Sequence, residues 1–340
     1  MNNDMDKLKY PTAAWMTVTH SCNYECKWCY AKEYCNSNEG MDVMRAKEVL
    51  DVLAKSNTKR VIFIGGEPTL YHDLNSLVAY AKSKGLKCAL VTNGILLSDK
   101  DYSMAIVDSG ITSCNISLKG TTEDEYVKNV GRNGLSRTLE GYNNMIECGC
   151  HTVLSFVISI PDTKKLSDLR DFLIQYGIPQ ISFLMEKPSF YSTKEGTTDI
   201  FSLAKCCEII FRIFEDTEID YKIQLSIPFC AIDQSILTEL IQRKRVYSCC
   251  HIMKGTGIVF DTEFNILPCN HFLGASMNDL PVPSNQIIEF WNNTDVVNFR
   301  ERISCYPSEK CLNCEYWRNC GGGCFMRWMV FNPQETIPGL

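Results

Sequence analysis

The sequence predicts an α/β fold followed by a small cysteine-rich α+β unit. Apolar runs bounded by turn residues predict six strands, at residues 14–19, 60–64, 87–92, 113–118, 152–159 and 180–185. Apolar residues at helical spacing predict helices between them, at residues 41–56, 74–84, 136–148 and 165–176. Repeated βα order favours parallel strands joined by right-handed helical crossovers, which build either an open doubly wound sheet or a barrel.

Length and composition leave room for one large domain and a smaller one. The chain has 340 residues, of which 45% are hydrophobic, so it can bury a substantial core. Its longest apolar runs are far shorter than the ~20 residues that a membrane span needs. Its first residues also lack the basic and then apolar layout of a signal peptide. We therefore expect a cytoplasmic protein without a membrane partner.

Charge and cysteine content narrow the function classes. The net charge is −6 and the densest basic run covers only residues 243–245, so we expect no nucleic-acid partner. The chain has 19 cysteines. In a chain of this size without a signal peptide, so many cysteines indicate metal clusters rather than disulfides.

Three cysteines near the amino terminus have the spacing C-x3-C-x2-C. They are Cys22, Cys26 and Cys29. A 4Fe-4S cluster normally takes four thiolates, so a loop with three leaves one iron open to a small chelating molecule. The alternative is that these residues are ordinary packed thiols, which are common inside proteins.

Further motifs stand where the predicted strands end. Gly65-Gly66-Glu67-Pro68 ends the second strand, Thr92-Asn93-Gly94 ends the third, and Ser117-Leu118-Lys119-Gly120 ends the fourth. In βα barrels the loops at the carboxyl ends of the strands carry the chemistry, so we expect these motifs to converge there. Side chains alternate along a strand, which places Asn115, Ser117 and Lys119 on one face of the fourth.

The order of these motifs resembles the radical S-adenosylmethionine (SAM) superfamily. The resemblance implies a partial (β/α)6 TIM barrel over residues 10–220 and SAM on the open iron of a catalytic 4Fe-4S cluster. Many relatives carry aspartate where Lys119 stands, which leaves the role of Lys119 open. The implied SAM-binding residues are Trp28, Gly65, Gly66, Glu67, Asn93, Ser117, Arg132, which pairs with the SAM carboxylate, and Met185, which packs on the adenine.

A second cysteine-rich region lies toward the carboxyl end of the chain, with the spacing C-x2-C-x5-C-x3-C. Upstream of it, two more cysteines flank a predicted hairpin at residues 257–261 and 264–268. Together they resemble the SPASM extension of radical SAM enzymes, which implies an auxiliary iron-sulfur domain over residues 221–340. The implied ligands are Cys250, Cys269 and Cys324 for one auxiliary cluster and Cys311, Cys314 and Cys320 for the other.

The chain departs from the SPASM pattern at two points. The pattern has a further cysteine downstream, whereas residues 325–340 contain none, and it has a glycine where Phe264 stands. Either Cys305 supplies the missing ligand, or one iron is open, or only one auxiliary cluster forms, as in the shorter twitch variant. Zinc, which also binds C-x2-C pairs, is the alternative metal. Cysteines outside any cluster are candidate hydrogen donors to a substrate radical, namely Cys35, Cys230, Cys249 and Cys305.

The resemblance implies an enzyme that reductively cleaves SAM to a 5'-deoxyadenosyl radical, which abstracts hydrogen from a substrate. We expect a ribosomally synthesised peptide as substrate, with formation of a cross-link, thioether or epimer, and a reducing partner such as flavodoxin or ferredoxin. The first strand begins close to residue 1, so we expect no separate leader-peptide recognition domain. The alternatives are a radical SAM dehydrogenase or anaerobic sulfatase maturase, and a non-catalytic iron-sulfur or zinc-binding module.

Overall fold

The computed structural model describes residues 10–35, 40–248, 250–304 and 307–336. The α/β class predicted from the sequence is confirmed, because strands and helices alternate along most of the chain. The strands are β1 (Ala13–Thr19), β2 (Arg60–Gly65), β3 (Lys87–Thr92), β4 (Ile111–Leu118), β5 (His151–Ile158), β6 (Gln180–Met185), β7 (Asp220–Gln224), β8 (Val246–Tyr247), β9 (Gly257–Phe260) and β10 (Ile266–Leu267). The helices are α1 (Val43–Lys55), α2 (Leu74–Ser83), α3 (Lys100–Ser109), α4 (Glu123–Val130), α5 (Leu135–Glu147), α6 (Thr163–Gln175), α7 (Ile200–Phe214), α8 (Gln234–Gln242), α9 (His251–Lys254), α10 (Ile287–Trp291), α11 (Thr294–Ser304), α12 (Trp317–Cys320), α13 (Phe325–Val330) and α14 (Pro333–Thr336).

All six predicted strands are present. β3 and β6 have the predicted bounds, and the other four differ from the prediction by one or two residues at one end or, for β5, by one residue at both ends. The sequence analysis missed β7 and β8. In β7, buried Tyr221 and Ile223 alternate with charged and polar residues over only five positions, and β8 has two residues, so neither gives a clear apolar run.

The described residues form two compact units. The first draws on Met1–Leu118, Glu123–Val153 and His251–Glu301. Its strands follow the order β10-β9-β1-β2-β3-β4, and all neighbours are parallel except β9 and β10. The predicted hairpin of β9 and β10 is therefore present. The other edge of β9 pairs with β1, which the sequence analysis did not anticipate.

The second unit draws on Lys119–Thr122, Leu154–Cys250 and Arg302–Leu340. Its strands follow the order β5-β6-β7-β8, and all neighbours are parallel. One of the boundaries between the units falls within β5, after Val153. The predicted division into a barrel over residues 10–220 and an auxiliary domain over residues 221–340 stays a prediction.

The core of the first unit explains why its chemistry lies at the ends of the strands. In β2 the side chains of residues 61–64 are all buried, as expected for a parallel strand that is covered on both faces. Helix α1 buries one stripe, formed by Ala46, Val49, Leu50 and Leu53. The chemistry-bearing motifs 65–68 and 92–94 accordingly lie where these buried strands end. Within the described part of the chain, no helix has the length and hydrophobicity needed to cross a membrane.

Aspartate side chains begin five of the helices. In each case the carboxylate accepts a hydrogen bond from the N–H three residues further on, which satisfies an N–H that the helix leaves unpaired. Such a cap stabilises a helix by about 1 kcal/mol. The capping residues are Asp42, Asp99, Asp162, Asp199 and Asp233.

Candidate functional site

The amino-terminal cysteine loop follows β1 directly. Two of its backbone N–H groups, those of Glu25 and Lys27, donate to the carbonyls of Val130 and Asn129 at 3.2 and 3.1 Å. These bonds anchor the loop to the end of α4. The side chains of Cys22, Trp28, Cys26 and Cys29 in this loop are all half-buried.

The thiols of the loop are electrostatic neighbours. Burial is the main cause that raises the pKa of Cys22 to about 11, and the Glu67 carboxylate and the thiols of Cys26 and Cys29 contribute to the same rise. The N–H of Tyr24, which donates to Cys22 Sγ at 3.5 Å, opposes this shift. A thiol in this environment stays protonated unless a cation replaces the proton, as iron does when it binds a thiolate.

A fourth thiol adjoins the loop. The sulfur atoms of Cys29 and Cys35 lie 3.8 Å apart. The hydrogen bond with Cys29, followed by burial, raises the pKa of Cys35. The structure thus places Cys35, one of the predicted hydrogen donors, against a predicted cluster ligand.

The two glycines after β2 pack directly on the chain that leads into the cysteine loop. A Cβ on Gly65 would lie 2.4 Å from the carbonyl oxygen of Thr19, and one on Gly66 would lie 2.4 Å from those of His20 and Ser21. The N–H of Gly66 also donates to Thr19 O at 2.8 Å. Glycine is therefore required at both positions for contact with the protein's own backbone, independently of any ligand.

Glu67 is the central residue of the strand-end network. Its side chain is 1% exposed. Oε1 accepts hydrogen bonds from the N–H and the hydroxyl of Thr69 at 3.1 and 2.6 Å and from the hydroxyl of Thr92 at 2.6 Å. Oε2 accepts from the N–H of Asn93 at 2.7 Å. Burial raises the pKa of Glu67, and these four donors counteract that effect.

Asn93 extends this network to the cysteine loop. Its side-chain amide donates to Asn23 Oδ1 at 2.6 Å, and its own Oδ1 accepts from the N–H of Ile95 at 3.0 Å. Asn23 is the neighbour of Cys22 in sequence. The loops after β1, β2 and β3 are therefore joined by a continuous chain of hydrogen bonds from Glu67 through Asn93 to Asn23.

The fourth strand presents the expected polar face. Asn115 and Ser117 are both half-buried, and Asn115 pairs in register with Val91 of β3. The Asn115 Oδ1 atom is buried and has no hydrogen-bond partner among the described residues. An unpaired buried acceptor costs about 1–3 kcal/mol. A ligand with a hydrogen-bond donor would satisfy it.

Arg132 lies in the loop between α4 and α5, after Gly131, whose φ is +83°. The side chain of Arg132 is exposed. The loop itself is ordered by Glu123, which accepts hydrogen bonds from three N–H groups at the start of α5, those of residues 134–136, at 2.8 to 3.1 Å. The structure therefore fixes the backbone near Arg132 and leaves its guanidinium accessible.

Met185 ends β6 in the second unit. It is 2% exposed, and its sulfur accepts a hydrogen bond from the N–H of Ser226 at 3.4 Å. This environment is that of a packed core residue, and a contact with adenine stays a prediction.

The tight cysteine motif of the second unit depends on its three glycines. Gly321, Gly322 and Gly323 all have positive φ, at 57°, 71° and 83°. A Cβ on Gly323 would lie 2.8 Å from the carbonyl carbon of Ile227. The chain can therefore reverse between Cys320 and the next cysteine only because these residues lack side chains.

The remaining predicted ligands fall in both units. Cys269 belongs to the first, where His271 N–H donates to its sulfur at 3.3 Å. The ring of His271 stacks on Tyr30 at 4.5 Å between centroids. Burial raises the pKa of Tyr30, and the thiols of Cys29 and Cys269 raise it as well. Because both thiols act on the same ring, Cys269 lies near the amino-terminal cysteine loop. Cys250 and Cys324 belong to the second unit and are half-buried, whereas Cys305 and Cys249 lie outside the described residues.

Comparison with known proteins identifies the domain that carries the cysteine loop. Residues 16–173 match the radical SAM superfamily. The chain contains a radical SAM domain. The predicted family is thereby confirmed for the segment that carries the cysteine loop, Glu67 and Asn93.

Two curated relatives match different lengths of the chain. Fe-coproporphyrin III synthase of Methanosarcina barkeri is 31% identical over 179 residues, which are 52% of this chain and 44% of that protein. PqqA peptide cyclase of Bradyrhizobium diazoefficiens is 28% identical over 324 residues, which are 92% of this chain and 81% of that protein. The chain spans about half the length of the curated relatives that match it over the radical SAM domain.

Among solved structures, Streptococcus suis SuiB superposes with a TM-score of 0.72 at 19% identity, over 97% of this chain and 77% of SuiB. Structures of SuiB bound to SAM and to its precursor peptide SuiA give TM-scores of 0.72 and 0.71. At this identity the likeness shows the fold. It confirms the predicted α/β fold with a partial barrel.

The donor set of the radical SAM domain fits a 4Fe-4S cluster, because three thiols lie in one loop and that of Cys22 interacts electrostatically with the other two. Among the described residues, no three side chains of Cys, His, Asp or Glu are placed to hold a single metal ion. A four-iron cluster holds its thiolates farther apart than a single ion does. The residues that would hold it are Cys22, Cys26 and Cys29.

The sequence analysis missed one residue of the second unit, Arg327. It is fully buried, and it donates to the carbonyls of Thr198 and Glu186 at 2.6 and 2.8 Å and to the hydroxyl of Ser226 at 3.2 Å. Burial lowers its pKa, and the nearby Cys324 thiol opposes that effect. Its signal in the sequence is an arginine in the otherwise apolar segment Phe325–Val330.

We expect Glu67→Gln to lower the free energy of unfolding by about 1–3 kcal/mol, because an amide NH2 would face the N–H of Asn93 and leave both donors unpaired. Glu140→Gln, on the exposed face of α5, is the control and should change stability by less than about 0.5 kcal/mol. Urea unfolding measures both. Equal stability of the two variants would contradict the structural role of Glu67.

Arg327→Met should destabilise the second unit by at least about 2 kcal/mol, because it leaves buried carbonyl groups without donors. Arg318→Met, an exposed change in α12, provides the comparison within the same unit. Thermal unfolding and limited proteolysis would report the difference. An unchanged melting temperature for Arg327→Met would show that its hydrogen bonds do not hold the motif.

Proposed function

We propose that this protein is an enzyme that reductively cleaves SAM to a 5'-deoxyadenosyl radical and uses it to abstract hydrogen from a ribosomally synthesised peptide. The observation that carries the proposal is the cysteine loop of the radical SAM domain, which a buried hydrogen-bond network holds against the ends of β2 and β3. The products we infer are a cross-link, a thioether or an epimer.

A 4Fe-4S cluster on Cys22, Cys26 and Cys29 would supply one electron for the cleavage of SAM. The chain's own residues would position the reactants. Glu67 and Asn93 fix the loop, and the buried Asn115 Oδ1 offers an acceptor to a donor group of a ligand. In the same proposal, SAM contacts Trp28, Gly65, Gly66, Glu67, Asn93, Ser117, Arg132 and Met185.

We infer a peptide substrate from how much of the chain each relative matches. The more identical relative, Fe-coproporphyrin III synthase, matches only about half of this chain, whereas PqqA peptide cyclase matches 92% of it. SuiB, which has been solved with its precursor peptide, resembles the chain over nearly its whole length. Since substrate specificity depends on regions beyond the shared SAM-binding domain, the longer matches favour a peptide.

Further parts of the proposal concern partners and auxiliary clusters. We infer one or two auxiliary 4Fe-4S clusters in a carboxyl-terminal domain over residues 221–340, following a barrel domain over residues 10–220. A flavodoxin or ferredoxin would supply electrons. A cytoplasmic location suits such a protein, because reducing compartments keep cysteines available for clusters.

The catalytic cluster is tested by replacing Cys22, Cys26 and Cys29 together with alanine. Anaerobically reconstituted protein with dithionite and SAM should form 5'-deoxyadenosine, and the triple variant should form none while it retains auxiliary iron. Cys148→Ala, a half-buried cysteine at the end of α5, is the control and should keep the activity. Chromatography with mass detection measures the product. Undiminished cleavage by the triple variant would refute the assignment.

The SAM contacts are tested with Ser117→Ala and Arg132→Ala. Each should weaken SAM binding by about 10- to 150-fold, since a lost hydrogen bond to a charged group costs about 1.5–3 kcal/mol. Iron content should stay unchanged, because neither residue is a predicted ligand. Lys128→Ala, an exposed change in α4, serves as the control. Calorimetry that gave equal affinities for all three variants and the parent would remove both residues from the site.

A further inference from the structure

Cys230 lies beside the tight cysteine motif, although it is 81 residues upstream of Cys311 in the chain. It is the middle residue of a short 3-10 helix, Phe229–Ala231, in the second unit. The N–H of Phe229 donates to Cys320 Sγ at 3.2 Å. The ring of Phe229 packs against that of Tyr316, with 6.1 Å between centroids. The residue before Cys230 thus contacts the motif at two positions.

The segment before Cys230 is fixed to the other end of the same motif. Gly323 packs on Ile227 and Pro228 so closely that a Cβ would lie 2.8 and 2.9 Å from their backbone atoms. The N–H of Cys324 donates to the carbonyl of Ser226 at 3.0 Å. Residues 226–229 are therefore held by the motif on both sides, which sets the position of Cys230 relative to it.

The thiols of this region act on one another electrostatically. Cys230 lies close enough to Cys311, Cys314 and Cys320 to interact with each of them electrostatically. The four thiols therefore belong to one neighbourhood of the second unit.

These four cysteines range from buried to exposed, so a cluster assembled from solvent could reach them. Cys320 is buried at 8% exposure and receives a backbone hydrogen bond, as a fixed anchor would. Cys311 is half-buried, whereas Cys230 and Cys314 are exposed. Two of these cysteines are thus open to solvent, while the sulfur of Cys320 is held by the fold.

We propose that Cys230 is the fourth cysteine ligand of an auxiliary 4Fe-4S cluster whose other ligands are Cys311, Cys314 and Cys320. This inference rests on the iron-sulfur chemistry of the proposed function. It replaces the missing downstream cysteine with one from the segment after β7, and it gives this cluster a complete set of thiolates. As a ligand, Cys230 is not available as a hydrogen donor, and Cys305 is not needed for this cluster.

The test uses the full chain in a Cys22/Cys26/Cys29→Ala background, so that iron at the catalytic loop does not contribute and no result depends on SAM cleavage. Iron and sulfide per chain and the electron paramagnetic resonance spectra of the oxidised and reduced protein are measured after anaerobic reconstitution. Cys230→Ala should lose about four irons per chain, or lose one and show a 3Fe-4S signal. Cys230→Ser should keep a cluster with a shifted spectrum, because an oxygen ligand replaces the sulfur.

Two control variants show whether the loss of iron is specific to Cys230. Cys206→Ala, at a buried cysteine in α7, and Cys305→Ala should both keep the parent's iron and spectrum. Parent-like iron and spectra in both Cys230 variants would overturn the inference, as would loss of the cluster in Cys305→Ala alone. A background protein that binds zinc or no metal in this region would also overturn it. The proposed function is tested separately, by SAM cleavage in the protein that retains Cys22, Cys26 and Cys29.

Discussion

The buried carboxylate of Glu67 is the constraint on which the site of the radical SAM domain depends. It accepts four hydrogen bonds, from residues at the ends of β2 and β3, in an environment that excludes water. Through Asn93 and Asn23 the same network reaches the cysteine loop. A buried polar network of this kind is stable only when its members are satisfied, so it fixes the relative positions of the three loops. The thiols are consequently presented by a rigid scaffold rather than by a free loop.

In the second unit, backbone contacts hold the cysteine motif in place. This motif consists of short helical turns, and glycines with positive φ let it fold back on itself. Ser226 connects the parts, because its carbonyl accepts from Cys324 N–H and its hydroxyl lies between Arg327 and the carbonyl of Glu186. Arg327 is the buried donor that these oxygens require. The motif is thereby tied to the strand ends of its own unit.

Sequence reasoning predicted most of the fold and the chemistry-bearing loops. The bounds of β3 and β6 followed from their apolar runs, and the cysteine spacing together with the strand-end motifs indicated the family. Short strands such as β7 were missed because alternation over five residues is a weak signal. The pairing of β9 with β1 was missed because it joins segments about 240 residues apart, and no local pattern records such a contact.

Some features of the site residues were likewise predicted from the sequence, and others required the structure. The Gly65-Gly66 turn was predicted from its motif, but its close packing on residues 19–21 required coordinates. Glu67 was predicted as a cofactor contact, and the structure adds that its carboxylate bonds the chain's own donors. Cys230 has no spacing relation to the cysteine motif, so only the fold could show that it lies beside Cys320.

The central claim is that the cysteine loop holds a cluster with one iron open to SAM. Electron-nuclear double resonance on the anaerobically reduced protein, with SAM labelled with heavy nitrogen at its amino group, tests this directly. Coupling between the label and the reduced cluster is predicted for the parent and should be absent when Cys22, Cys26 and Cys29 are alanine. A parent protein with full iron content, bound SAM and no coupling would contradict the claim.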